Sequence, residues 1–224
     1  MTPNTDASAA EPDGSPDIAA ADASPPAAVA VRKRPKPGER RVQILQTLAS
    51  MLELPGADRI TTAALAAKLE VSEAALYRHF ASKAEMFEAL IEFIESRVFT
   101  LVNQIHERET QPIVQVQKML TVLLQFAEKN PGMARVMVGD ALVFENERLL
   151  TRMNQFFERF ESQLRQSLRG RAEAAGSATP TVDANAQASV LTAFAVGRLQ
   201  RFARSGFKRS PVEHLDAALQ MLAT

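Results

Sequence analysis

The chain has 224 residues, 46% of them hydrophobic, and its 26 Lys/Arg balance its 26 Asp/Glu, a composition that suits a folded globular protein. It has no Cys, so disulfide frameworks and thiolate chemistry are excluded and the cytoplasm is the default compartment. No run of about 18 apolar residues offers a membrane span, and the N-terminus lacks the basic start and apolar core of a secretory signal.

The balanced total hides an asymmetry along the chain. Residues 1–31 carry five acids (6, 11, 13, 17, 22) and no base, whereas residues 32–83 carry ten Lys/Arg against five acids. Residues 1–37 are rich in Ala, Pro, Asp and Ser and offer too little apolar surface to offset chain entropy, so they are expected to be a disordered acidic tail. From residue 32 the run RKRPKPGERR reads either as a solvated linker or as a basic arm tracking a DNA backbone, with Arg40 and Arg41 best placed because they directly precede the first helix. The tail is expected to compete with DNA for this arm.

A first helix carries Val42, Leu45, Leu48, Ala49 and Leu52 and stops at Pro55-Gly56. TTAALAAKLEVSEAALYRHFASKAEMF, residues 61–87, then reads as two short helices joined by a tight turn and followed at once by a third. Thr61 and Thr62 cap a helix with Ala63, Leu65, Ala66 and Leu69 at helical spacing, and Ser72 caps the next. That second helix keeps Ala74, Ala75, Leu76 and Phe80 for close packing and presents Glu73, Tyr77, Arg78 and His79 as a polar, partly basic edge, which is what entry into a major groove requires. Ser82-Lys83-Ala84-Glu85 has capping-box spacing, so a longer helix starts near 83 with Lys83 at its mouth, free to reach a phosphate. The same periodicity also fits a helical hairpin that never touches nucleic acid; the coincidence of the basic segment with the helix-turn-helix favours DNA.

Further helices follow. The helix from 83 runs to about 106, and a next one begins near Pro112 with Val116, Met119, Leu120, Leu123, Leu124 and Ala127 inward, ending at Asn130-Pro131-Gly132. A short helix fills 132–138. Two longer ones, 145–168 and 183–205, carry apolar faces (Leu149, Met153, Phe156, Phe157, Phe160, Leu164; Ala186, Val190, Ala193, Phe194, Gly197, Leu199, Phe202), with a polar, mobile connector at 169–183 between them. A last helix spans about 211–222. Charges such as Glu145, Glu158 and Arg152 are expected to form a solvated face with weak ion pairs.

VSEAALYRHFASKAEMF resembles the end of the DNA-binding domain of the TetR-type regulators. Further segments, ILQTLASMLE (44–53), the run 59–95, KNPG (129–132) and RMNQFFERFESQLRQSLR (152–169), resemble the nucleoid occlusion branch of that family. The resemblance covers nearly everything after residue 38 and leaves the acidic tail at 1–37 outside it; it implies an all-α fold of about nine helices, with a three-helix DNA-binding domain at 38–84 and a dimerisation and partner-binding body at 85–224. It implies a homodimer on palindromic double-stranded DNA, several dimers per site being an open question, that engages the division tubulin FtsZ when DNA-bound and prevents its assembly over the nucleoid.

Carried over residue by residue, Thr61, Ser72, Tyr77, His79 and Lys83 match the DNA-facing segment, with Arg40, Arg41, Glu73, Ala74 and Arg78 beside them. Phe93 and Asn130 match the FtsZ side, while Leu101 and Lys129 replace basic residues there. The helix pair at 145–168 and 183–205 would dock on its symmetry mate through Phe156, Phe160, Phe194 and Gly197, an intramolecular core being the other reading. Glu70 stands where such turns often carry Gly.

No enzyme signature appears. His79, His106 and His214 are far apart, and there is no metal-ligand spacing, phosphate loop or nucleophile elbow, so neither metal, cofactor nor required small ligand is expected. The alternative is a ligand-responsive TetR-type repressor with a cavity lined by Met119, Leu123, Phe126, Met137 and Phe144.

Overall fold

Among the described residues amphipathic periodicity resolves into helices alone. The computed structural model describes residues 38–54 and 59–222, and these contain nine α-helices, one 3-10 turn and no strand. The acidic tail, the bases at 32–36 and the Pro55-Gly56 stop lie outside the described residues.

The first helix, α1 (Glu39–Leu52), buries Ile44, Leu48 and Leu52. Val42, expected inward, is exposed, because the buried stripe repeats every four residues from Ile44 and leaves Val42 on the opposite face. α2 (Thr62–Lys68) and α3 (Glu73–Leu76) complete the helix-turn-helix. Leu65, Ala66, Leu69, Leu76 and Phe80 seal its interior.

α4 (Lys83–Arg108) carries the chain away from this head, and α5 (Pro112–Lys129) returns. Pro112 opens α5 where a missing N–H costs no hydrogen bond. At the α4–α5 turn the Glu109 carboxylate accepts from Lys118 Nζ at 2.9 Å and Gln111 N at 3.0 Å. The Lys118 hydrogen bond, first among several contributions, holds its pKa below the ordinary value.

α6 (Pro131–Met137) leans on α1, and the reason is one glycine: a Cβ on Gly132 would lie 2.1 Å from the Ala49 carbonyl oxygen. A 3-10 turn (Asp140–Leu142) leads into α7 (Glu147–Ala174), which packs against α8 (Pro180–Arg204). The expected connector at 169–183 is thus mostly helix. Only 175–179 link the two, and the Asp183 carboxylate fixes that link by accepting from Ser177 and Thr179 hydroxyls. α9 (Leu215–Leu222) closes the body through Leu215 and Leu219. One apolar core runs without a break from Ile44 to Leu219, so the expected boundary at 84/85 falls inside the first turn of α4.

Ion pairs tie α7 to α4. Arg148 Nε meets Glu88 at 2.9 Å, Arg152 meets Glu95 at 2.8 Å, and Lys83 pairs with Glu145. Their ascending order shows that α4 and α7 run parallel. The Glu95 hydrogen bond raises the Arg152 pKa above its usual value, against the opposing effect of burial. These charges therefore join two helices, where a merely solvated face was expected; Arg165–Glu161 keeps the expected i,i+4 form.

Candidate nucleic-acid interface

Two side-chain caps fix the helix-turn-helix. Thr61 Oγ1 accepts from Ala64 N at 3.1 Å and Ser72 Oγ from Ala75 N at 3.3 Å, each satisfying an N-terminal donor that the helix itself cannot. The turn between them places Glu70 at φ 55°, the left-handed region that favours glycine. Across the turn Thr62 Oγ1 donates to the Glu73 carboxylate at 2.6 Å, a link between α2 and α3 that sequence spacing did not reveal.

Ser72, Glu73, Ala74, Tyr77, Arg78 and His79 all lie on the exposed side, and Tyr77 keeps 46% of its surface in solvent. Phe80, at 1%, is the plug on the inner side. α3 proper ends at Leu76; the chain continues as a tight turn in which His79 N and Phe80 N both donate to the Leu76 carbonyl. Candidate base-reading and phosphate-reading side chains are thereby gathered on one short, convex edge.

The flanking cations are engaged within the protein. Arg41 donates to the His79 carbonyl at 2.7 Å, lies 3.4 Å from a Glu85 carboxylate oxygen, and sits 4.0 Å above the Phe80 ring. It acts as a strut holding the recognition turn on α1. Arg40 is turned to Gln43 at 2.8 Å. Lys83, expected free at the mouth of α4, is paired with Glu145 because the turn before α7 brings that carboxylate over the start of α4. The expected capping box is half formed: Ser82 Oγ accepts from Glu85 N at 3.1 Å, but the Glu85 carboxylate takes Ala81 N at 2.5 Å as well as Arg41.

Two further surfaces carry sequence candidates. Phe93 is 38% exposed, stands 6.3 Å from Phe126 centroid to centroid, and has the Arg97 guanidinium 5.3 Å from its ring. Asn130 donates to the Phe126 carbonyl at 2.7 Å, so Phe93, Phe126 and Asn130 form one patch. On the outer side of α8, Ala186, Val190 and Ala193 are exposed, with Phe194 and Gly197 half-buried. A groove of about 410 Å³ beside them includes Leu150, Phe157 and Thr192. Phe156 and Phe160 do not belong to this surface: at 1% and 0% exposure they are core. Their face of α7, repeating with Leu149, Met153 and Leu164, is already covered within the chain. The proposed ligand-cavity set is not one lining either, since Met119 and Leu123 are fully buried while Phe144 is 65% exposed.

A capped helix-turn-helix with an exposed polar recognition edge, continued into a helical body, defines the TetR class of DNA-binding regulators. The family model for bacterial regulatory proteins of the tetR family matches residues 44–90, and the SlmA-like model, a tetracyclin repressor-like C-terminal domain, matches 110–224. The nucleoid occlusion factor SlmA of Aliivibrio fischeri (strain MJ11) is 50% identical over 190 residues, covering 84% of this chain and 96% of that protein. SlmA of Vibrio cholerae serotype O1 is 50% identical over 185 residues, 82% and 94% of the two chains. The chain belongs to the SlmA family of TetR-type regulators. Solved structures share the fold: FadR of Bacillus subtilis in complex with stearoyl-CoA (TM-score 0.65, 12% identity, 82% of this chain and 97% of that one) and PfmR of Thermus thermophilus (TM-score 0.66, 19% identity, 82% and 95%).

Proposed function

We propose that this protein is a nucleoid occlusion factor: a homodimer that binds palindromic duplex DNA on the nucleoid and, when DNA-bound, prevents FtsZ assembly there. It works by binding and is not an enzyme. The half-identity to SlmA over 190 residues, 84% of this chain, carries this reading, because it spans far more than the helix-turn-helix alone.

On this reading the 72–79 edge enters the major groove, Thr61 and Tyr77 contact phosphates, and Arg40, Arg41 and Lys83 contribute charge from the flanks. Lys83 must exchange its Glu145 partner for a phosphate to do so. Phe93 and Asn130 meet FtsZ; a large aromatic held at the surface by Phe126 is the kind of anchor a protein partner uses. Two-fold symmetry comes from the outer face of α8, where Ala193 and Gly197 permit close helix approach and Val190 and Phe194 supply apolar area. Residues 38–84 serve as the reading domain and 85–224 as the dimerisation and partner-binding domain, with no small ligand required.

The test separates the two surfaces. A Phe93→Ala variant keeps dimer mass and duplex affinity but no longer affects FtsZ polymers; a Tyr77→Ala variant loses duplex affinity first. Loss of both activities in both variants would contradict the division of labour.

A further inference from the structure

The end of α8 gathers five cations, Arg198, Arg201, Arg204, Lys208 and Arg209, and no acid occurs between Asp183 and Glu213. Four of them, all but Arg204, line an open groove of about 780 Å³ with Ser210 and His214. The single carboxylate among the lining residues is Glu213, 3.9 Å from His214 Nε2. Arg198 is committed: it donates to the Glu213 carbonyl at 2.6 Å and lies 5.0 Å from the Phe194 ring. Among the described residues no carboxylate pairs with Arg201, Arg204, Lys208 or Arg209.

Cations in the last turn of a helix complement its dipole, which accounts for Arg201 and Arg204. It does not account for Lys208 and Arg209, which lie beyond the helix on a loop that is tightly fixed. Phe207 N donates to the Phe202 carbonyl at 3.0 Å, and the Phe207 ring sits 5.2 Å from Phe202 with Arg135 on it at 5.5 Å. Ser205 Oγ accepts from Arg209 N at 2.9 Å while donating to the Phe202 carbonyl, and Ser210 bonds the Glu128 carboxylate. Phe207 and His214, neither a glycine, are held at φ 64° and 52°. Left-handed backbone at such residues persists only where the surroundings enforce it, and it concentrates at ligand-holding segments.

Like charges on a mobile loop would drift apart into solvent. Here they are held on a fixed surface on which Glu213 is the single lining carboxylate, which is the preorganisation an anion site needs. Arginine forks match phosphate oxygens two at a time, and the groove has the volume of a small-molecule site. We infer that this groove binds a compact anion carrying clustered phosphates, of the class of inorganic triphosphate or a nucleoside triphosphate. Its lining shares no residue with the DNA-reading edge, so it offers the protein a second, small-molecule input.

Calorimetric titration of the full chain with inorganic triphosphate and with ATP, in about 0.15 M salt to screen non-specific attraction, tests this. The expected result is one site per chain, with affinity falling about tenfold or more in K208Q/R209Q as two charge-assisted contacts are lost. The thermal midpoint and the specific-duplex affinity stay unchanged in that variant. R201Q, on the helix rather than the loop, gives a second reading of the same loss. Binding that is absent, or equal in wild type and both variants, overturns the inference. So does a variant that loses duplex affinity while triphosphate fails to bind, which would make the groove a DNA-backbone contact.

Discussion

Lys83 holds Glu145 in the free protein, so a phosphate that recruits Lys83 must displace a carboxylate that is mostly buried. Glu145→Gln should therefore raise duplex affinity about threefold, the scale of a partly exposed pair. Lys83→Ala should weaken all sequences alike and lower the salt slope by about one unit. Anisotropy titrations at several salt concentrations check both, and an unchanged slope in Lys83→Ala would remove the residue from the phosphate contacts. Replacing a base-reading side chain on the 72–79 edge should instead cost about 1–3 kcal/mol on the specific site and relax its specificity. Glu70, at φ 55°, predicts that Glu70→Gly gains up to about 1 kcal/mol in denaturant unfolding.

The caps and the exposed recognition edge were legible in the sequence, because Thr61, Ser72 and the spacing of Leu65, Leu76 and Phe80 act within a few residues of one another. Lys83's partner was not, since Glu145 lies 62 positions away and only the path of the 3-10 turn brings it back. Position alone makes Arg41 a phosphate contact; its role as a strut depends on the fold of α3 against α1.

Among elements, the α1–α6 seam is the least forgiving. Gly132→Ala would push a methyl into the Ala49 carbonyl at 2.1 Å, backbone against backbone, and should cost about 1–3 kcal/mol as the helices separate. Gly170→Ala, inside α7 with open space around it, should instead raise stability by about 0.5–1 kcal/mol, the gain of Ala over Gly within a helix; equal effects would contradict the seam. The α4–α5 turn is expected to respond to pH. Because Lys118 lowers the Glu109 pKa, the clasp contributes above the usual carboxylate range and is lost as the pH falls through the lowered value. A carboxyl titration by NMR should show Glu109 protonating later in acid than exposed glutamates do. The helix pair α7–α8 shows where periodicity stops informing. It marks Phe156, Phe160, Phe194 and Gly197 as apolar alike, but a face covered by the same chain and a face left open have the same spacing. Only packing separates the two fully buried phenylalanines from the outer stripe of α8.

At the scale of the whole molecule, that stripe is the surface the dimer proposal depends on. Val190→Glu should yield a folded monomer by analytical ultracentrifugation, since Val190 is 54% exposed and its replacement leaves the core intact. Phe156→Ala should instead cost about 3–5 kcal/mol of stability, the effect of a core cavity. Deleting residues 1–31, which removes five acids and no base, should tighten duplex binding at matched salt, and unchanged affinity would discard competition by the tail.

Sedimentation of FtsZ polymers, with this protein added in the presence and absence of a tightly bound duplex, decides whether DNA occupancy is what switches on the block to division. Polymers are expected to be lost only when the duplex is present, and Tyr77→Ala is expected to remove the effect. FtsZ left untouched by a protein that still binds its duplex as a dimer would contradict it.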